Sequence, residues 1–230
     1  HTSTTFTDPL GEDFFMVGGY GQYTFKNDIR KYDFDQNKWK NIEYTSNDTF
    51  DYRNGAIVTP KDNKSVFIYG TAGNKNGHQK FGKNKLNDLW EYNIKSKSLT
   101  KLKENVFPIS NISNPSSIDA IYAKEKLFFF SLENKFNKES DNLLNIWTVS
   151  LDDTNQAILK ETLSIKFDLV SSSLRYDENN NMLTFLQKDI VDDKTYIYTS
   201  AIILPIVKNL NRDKPQKIIL YIISGILFTI

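Results

Sequence analysis

Between residues 14 and 207 the chain is a succession of short apolar runs separated by polar turns, and the succession repeats. FFMVGGY (14–20) and SVFIYG (65–70) are apolar runs that end in glycine. Each leads through a glycine-containing stretch into a segment opening on Asn-Asp, NDIRKYDFDQNKW (27–39) and NDLWEYNIKSKSL (87–99). Both segments place a tyrosine five positions after the asparagine and a large apolar residue seven positions later, Tyr32 with Trp39 and Tyr92 with Leu99. DQNK and KSKS read as tight turns into KWKNIEY and SLTKLK. RNGAIV (53–58), parted from SVFIYG by the polar TPKDNK, reads as an opening strand. The predicted unit is strand, polar turn, strand ending in glycine, long loop, strand with Asn-Asp and Tyr, tight turn, strand. Two fainter copies follow. SSIDAIYAKEKLFFFS (116–131) and LLNIWTVSLDDTNQAILKE (143–161) make a third, in which Trp147 falls 57 positions after Trp90. LVSSSLRYDENNNMLTFLQ and TYIYTSAIILPIV (195–207) make a fourth.

One such unit cannot bury both faces of its sheet alone, so several must stack. Small residues such as Gly55, Ala56 and Ala120 suit a first strand set where space is tight. Paired glycines let the chain leave the second strand with positive φ. Tyr32 and Trp39, seven apart across a hairpin turn, can share a face and pack against the next unit. Gly18-Gly19, Tyr32 and Trp39 resemble the diagnostic glycines, tyrosine and tryptophan of the kelch motif. The second unit keeps Tyr92 and has Tyr69-Gly70 and Leu99 in the other places, while the third and fourth keep the strand pattern alone. The resemblance implies an all-β fold, a kelch-like β-propeller over residues 1–207 with about four visible blades, where propellers range from four to eight. The units run about 1–43, 53–103, 116–162 and 168–207. A β-sandwich with a repeated hairpin is the other architecture the pattern allows.

Composition narrows the picture further. The 230 residues are 39% hydrophobic and 25% charged, as in a globular protein, and 13% aromatic, which favours strands. A net charge of +1 gives no global pull toward nucleic acid or anionic lipid. There is no cysteine, so disulfides, thiolate metal sites and cysteine nucleophiles are excluded. The chain starts at His1, which fits a removed leader or a trimmed start. A polar stalk, KNLNRDKPQK (208–217), precedes the uncharged run IILYIISGILFTI (218–230). That run predicts the start of a transmembrane helix in a single-pass membrane protein; two strands turning at Ser224-Gly225 are the alternative. Lys208, Arg212, Lys214 and Lys217 would hold the propeller in the cytosol under the positive-inside rule, as in a tail-anchored protein. A removed leader would override them, and the expected location is lumenal or extracellular. Sequons at Asn47, Asn63 and Asn111, all in predicted loops, permit a glycoprotein.

In a propeller the loops between the second and third strands share one face with the connections between blades. Here those loops are the long ones: GGYGQYTFK, GTAGNKNGHQKFGKNK, SLENKFNKESD and QKDIVDDK. Long loops converging on one face of a rigid scaffold are where binding concentrates. The candidate partner-binding residues are Tyr20, Tyr23, His78, Lys80, Phe81 and Phe136. Residues 71–84, with glycines 73, 77 and 82 and lysines 75, 80 and 83, read either as an arm that grips a partner or as a solvated insertion. No catalytic residue, cofactor or metal site is expected. Copper radical oxidases of kelch type need a cysteine-crosslinked tyrosine and histidine ligands, and this chain has no cysteine and only His1 and His78. No phosphate-binding glycine loop or Gly-x-Ser-x-Gly elbow occurs. Asp152-Asp153 and Asp192-Asp193 read as turn residues that bond local backbone. The expected function is a non-catalytic protein-interaction module or membrane-complex subunit whose partner is another, membrane-associated protein. The alternative is a carbohydrate-binding or glycan-modifying propeller, with aromatic loop residues stacked on sugar rings.

Overall fold

The computed structural model describes residues 3–104, 106, 115–123, 125–133, 142–151, 157–165, 168–169, 175–177, 179–180, 182–191, 194–203 and 220–223. Their structure is all-β, and the one helical element among them is a 3-10 turn, η1, at Gln79–Phe81. The chain divides into two compact units. One is residues 1–111 with 124–127 and 149–158; the other is residues 112–123, 128–148 and 159–230.

Strands β1 (Thr4–Thr7), β2 (Phe14–Gly21), β3 (Thr24–Asp33) and β4 (Lys38–Ile42) form an antiparallel meander, repeat one. Two short strands follow, β5 (Thr45–Ser46) and β6 (Tyr52–Arg53). Repeat two is a second antiparallel meander, β7 (Ile57–Pro60), β8 (Ser65–Asn74), β9 (Asn84–Asn93) and β10 (Ser98–Lys103). The short strands stitch the two repeats together. β5 pairs in parallel with β10, and β6 bridges β3 and β8, with Lys26 opposite Arg53 and Arg53 opposite Gly73.

Register aligns the repeats and corrects one expectation. Val17 faces Ile29 and Tyr69 faces Leu89, and each pair is followed at once by a β-bulge. The counterpart of Gly18-Gly19 is therefore Gly70-Thr71, one position later than spacing suggests. Gly19 has φ 127° and Thr71 has φ 129°, so the second repeat holds a β-branched residue in a backbone conformation that glycine adopts freely. The extra residue of each bulge falls on the third strand, at Asn27-Asp28 and Asn87-Asp88, and each second strand runs on past its glycines instead of ending there. GGYGQYTFK is accordingly not a long loop. Gln22 and Tyr23, with φ 50° and 67°, make a two-residue hairpin turn, the left-handed pair that matches strand twist.

The core of this unit lies between the two repeats. Phe15, Val17 and Ile29 of repeat one pack with Val66, Ile68, Trp90, Tyr92 and Leu99 of repeat two, and Phe50 and Ala56 fill the gap from the connecting segment. A fully buried side chain of this size contributes about 1.5–3 kcal/mol. Tyr92 and Leu99 are thus core residues, while their counterparts Tyr32 and Trp39 stay half-exposed.

Farther along, β11 (Pro115–Ala123), β12 (Lys126–Glu133), β13 (Asn142–Ser150) and β14 (Ala157–Ile165) form a four-stranded sheet in chain order. The last sheet holds β15 (Asp168–Leu169), β16 (Arg175–Asp177), β17 (Met182–Val191), β18 (Lys194–Ile203) and β19 (Leu220–Ile223). Phe130, Leu144, Ile146, Leu183 and Phe185 form one buried cluster in the second unit.

β19 departs from the helix predicted over 218–230. Leu220–Ile223 pairs antiparallel with β18, Ile222 opposite Ser200 and Leu220 opposite Ile202. A run rich in isoleucine beside an open strand edge gains ladder hydrogen bonds and suits a pleated surface, which favours strand over helix. The rest of 208–230 lies outside the described residues. No helix among the described residues is long and apolar enough to cross a membrane, which says nothing of a span built from strands.

Candidate interaction site

The β2–β3 turn and the segment between β8 and β9 meet on one end of the first unit. Backbone bonds join them: Phe25 N–H donates to Gly77 O at 2.7 Å and Gln79 N–H to Tyr23 O at 2.9 Å, and Thr24 forms a bridge with His78. Tyr20 hydroxyl donates to Gln79 Oε1, and its ring lies 5.2 Å from Phe25. The 75–83 segment is itself tied down by a buried asparagine. Asn74 Nδ2 donates to His78 O at 3.1 Å and Gly82 O at 2.6 Å, while its Oδ1 accepts from Asn76 N–H at 3.0 Å. His78 caps η1, its Nδ1 accepting from Lys80 N–H at 3.1 Å. These bonds make the arm a shaped platform continuous with the β2–β3 hairpin.

Two of the six expected binding residues present aromatic surface from it. Tyr23 is 70% exposed and Phe81 54% exposed. Lys80 Nζ lies 4.9 Å from the Phe81 ring centroid, and the His78 ring stands edge-on to it at 6.5 Å. Tyr20 and His78 hold the platform together instead of standing free. Tyr20 also borders two clefts. One, about 350 Å³, is lined by Phe25, Asn54, Gln79, Gly82 and Lys83; the other, about 430 Å³, includes Ser3, Met16, Lys26 and Arg30. Phe136 lies outside the described residues, as do Asn111 and both aspartate pairs. Asn63 is exposed in the β7–β8 turn. Asn47 is exposed too, but its carboxamide pairs with the β10 backbone, Oδ1 accepting from Lys101 N–H at 2.7 Å and Nδ2 donating to Lys101 O at 3.4 Å. A glycan on Nδ2 would have to coexist with that pairing. Among the described residues no three histidine or carboxylate side chains converge as a metal site would need.

The feature that sequence reading passed over is Arg53. Its side chain is fully buried and reaches from β6 to Asp88 on β9, Nη1 to Oδ1 at 3.2 Å and Nη2 to Oδ2 at 2.8 Å. Nε donates to Asp51 O at 3.1 Å, and the guanidinium lies 3.8 Å from the Phe50 ring centroid. Phe50 in turn stands edge-on to Trp90 at 5.0 Å, and Trp90 Nε1 donates to Asp88 Oδ2 at 2.6 Å. Burial works to raise the Asp88 pKa, but the Arg53 charge and the bonds from Arg53 and Trp90 outweigh it and hold the carboxyl below its usual range. This is a structural lock across the joint between repeats. Its one sequence signal was the recurring Asn-Asp, whose second copy supplies Asp88. The asparagine of the first copy also serves the joint, Asn27 Nδ2 donating to Phe50 O at 3.2 Å.

No protein-family model matches the chain, and no curated protein sequence matches it.

Proposed function

We propose that the chain is a kelch-like β-propeller acting as a non-catalytic module, and that it binds another protein through the end carrying Tyr23 and Phe81. The propeller is supported by recurrence of one strand order: β1-β2-β3-β4, β7-β8-β9-β10, β11-β12-β13-β14 and β16-β17-β18-β19. Face-on packing of repeat one against repeat two also supports it. The binding role is carried by one observation, the pair of exposed rings on segments fixed to each other by backbone bonds. A backbone already held in place adds little ordering cost when a partner covers the rings it carries. Lys80 and Lys83, both exposed, add positive charge beside Phe81, which suits a partner with an acidic rim.

The test is affinity purification of the tagged chain from its native cells, with Tyr23→Ala, Phe81→Ala and the pair. A bound protein should copurify and be lost in the double variant while the thermal transition stays put. Each ring is expected to contribute about 2 kcal/mol, roughly thirty-fold in Kd. Retention of every partner by the double variant would remove the proposal. A glycan-array signal abolished by Tyr20→Ala or Tyr23→Ala would instead favour the carbohydrate-binding alternative.

Location has its own test at the C-terminus. Release of the chain from a membrane fraction by alkaline carbonate would favour the strand reading of Leu220–Ile223, which pairs with β18. Retention in the carbonate-washed pellet would favour an anchor through residues 218–230.

A further inference from the structure

The end of the first unit that carries Tyr23 and Phe81 is built by residues 14–27 and 71–87, which hold five lysines and no aspartate or glutamate. At the opposite end the turns mix both signs, Asp33, Asp35 and Lys38 between β3 and β4, and Lys61, Asp62 and Lys64 between β7 and β8. Elsewhere in the unit Lys31, Lys40, Lys61 and Lys101 pair with carboxylates. Lys75 is engaged electrostatically by Asp48 and Asp51. Lys80 and Lys83 have no carboxylate partner among the described residues. A chain of net charge +1 thus leaves positive charge unbalanced at one end.

The cleft between Tyr20 and Lys83 gives that charge a place to act, and every residue lining it belongs to the first unit. Gln79 Oε1 is taken by the Tyr20 hydroxyl, so Gln79 Nε2 is left as a donor, and no acceptor meets it among the described residues. Lys83 lines the same cleft, and the Tyr20 and Phe25 rings form an apolar wall beside it. Asn54, also in the lining, is braced through its backbone: its N–H donates to Ala72 O at 2.7 Å and its carbonyl accepts from Thr71 Oγ1 at 2.8 Å. Thr71 makes that bond at φ 129°, a strained backbone for a β-branched residue, and strain of this kind collects at ligand clamps. A recess of about 350 Å³ stands at the small end of ligand pockets, the size for one side chain of a partner. Donors set beside rings match a carboxylate that has an apolar neighbour.

We propose, resting on the Tyr23–Phe81 reading, that this cleft takes an aspartate or glutamate side chain of the partner protein. Lys83 Nζ and Gln79 Nε2 hold its carboxylate, Lys80 steers it in, and Tyr23 and Phe81 cover the apolar residues beside it. A recessed donor pair selects a protruding side chain over the flat surface of a bilayer. A net charge of +1 gives a nucleic acid little pull.

The test is selection of a displayed library of random peptides on the full native chain, followed by anisotropy titration of the enriched sequences in labelled form. The enriched peptides are expected to share an aspartate or glutamate beside an apolar residue, and to bind less tightly as salt rises. Exchanging that acid for its amide should weaken binding about ten-fold. Gln79→Glu keeps an acceptor for the Tyr20 hydroxyl but replaces the donor by a negative charge. It should weaken the acidic peptides at least as much while the thermal transition stays in place, and Lys83→Gln should act in the same direction. Enriched peptides that depend on Tyr23 and Phe81 but carry no acid, or that Gln79→Glu leaves bound, overturn the carboxylate site and leave the platform reading standing. A selection that enriches nothing does the same, since the platform reading is judged by copurification. Enriched peptides that neither Tyr23→Ala nor Phe81→Ala weakens overturn both. Capture of phosphatidylserine vesicles that Lys83→Gln abolishes, with no competition from the acidic peptides, would put a lipid headgroup on these lysines and also overturn the carboxylate site.

Discussion

Arg53→Ala is expected to destabilise the first unit by about 3–5 kcal/mol, read from the urea midpoint. The variant strips Asp88 of both guanidinium bonds and leaves a carboxylate of low exposure facing the Phe50 and Trp90 rings. It also empties the space above Phe50 and releases Asp51 O. Arg53→Lys keeps the charge but loses the fork and the Nε bond, and should fall between the two. Arg53→Met with Asp88→Leu should recover most of the loss, because replacing a buried pair by apolar groups avoids the desolvation that a lone charge suffers. Acid gives an independent check. Asp88 titrates lower in the folded chain than unfolded, so its contribution is complete above the ordinary carboxylate pKa of about 3.9 and fades as pH falls through the folded value. The gap in stability between the native chain and Asp88→Asn should therefore narrow at the acid end. A gap that stays constant down to acid unfolding would mean the pair is idle. Tyr92 gives the opposite limb. Burial pushes its phenol up to about 12, so its neutral form supports the fold fully below about pH 10 and loses that support as pH rises toward 12.

The strands and their recurrence were legible because apolar runs and turn residues are local signals. What the sequence left hidden depends on neighbours. Tyr32 with Trp39 and Tyr92 with Leu99 look equivalent in spacing, yet one pair is half-exposed and the other buried, since burial is decided by what lies across the face. Asp88 was visible as half of a repeated dipeptide, but its partner Arg53 lies 35 residues upstream in a segment that resembles a loop. Gly70-Thr71 was misaligned by one because a bulge is a backbone event, and Thr71 at φ 129° carries no glycine to announce it. The Tyr23–Phe81 platform shows the same limit. Glycines at 73, 77 and 82 left the segment readable as a gripping arm or as a solvated insertion, whereas Asn74, Gln79 and the His78 cap fix it through bonds that composition does not encode.

Gly73→Ala is expected to cost about 3 kcal/mol or more, for lack of space and not for backbone strain. Gly73 lies outside the left-handed region, but a Cβ there would stand 1.8 Å from Tyr52 O and 2.9 Å from Arg53 Cα. The obstacle is backbone, so no rotamer change relieves it. β6 must move away from β8, and β6 carries Arg53. Gly82→Ala is the control for strain alone, since φ is 84° with ψ −177° and no atom lies within 4 Å of the added carbon; about 1–3 kcal/mol is expected there. Because the Gly73 clash acts partly by dislodging Arg53, the two losses should not add. In an Arg53→Ala background, Gly73→Ala should cost clearly less than in the native chain, with a coupling of about 1 kcal/mol or more. Full additivity would mean that β6 yields at Tyr52 without disturbing the Arg53–Asp88 bonds, and that lock would then not depend on the close approach of β6 to β8 at Gly73.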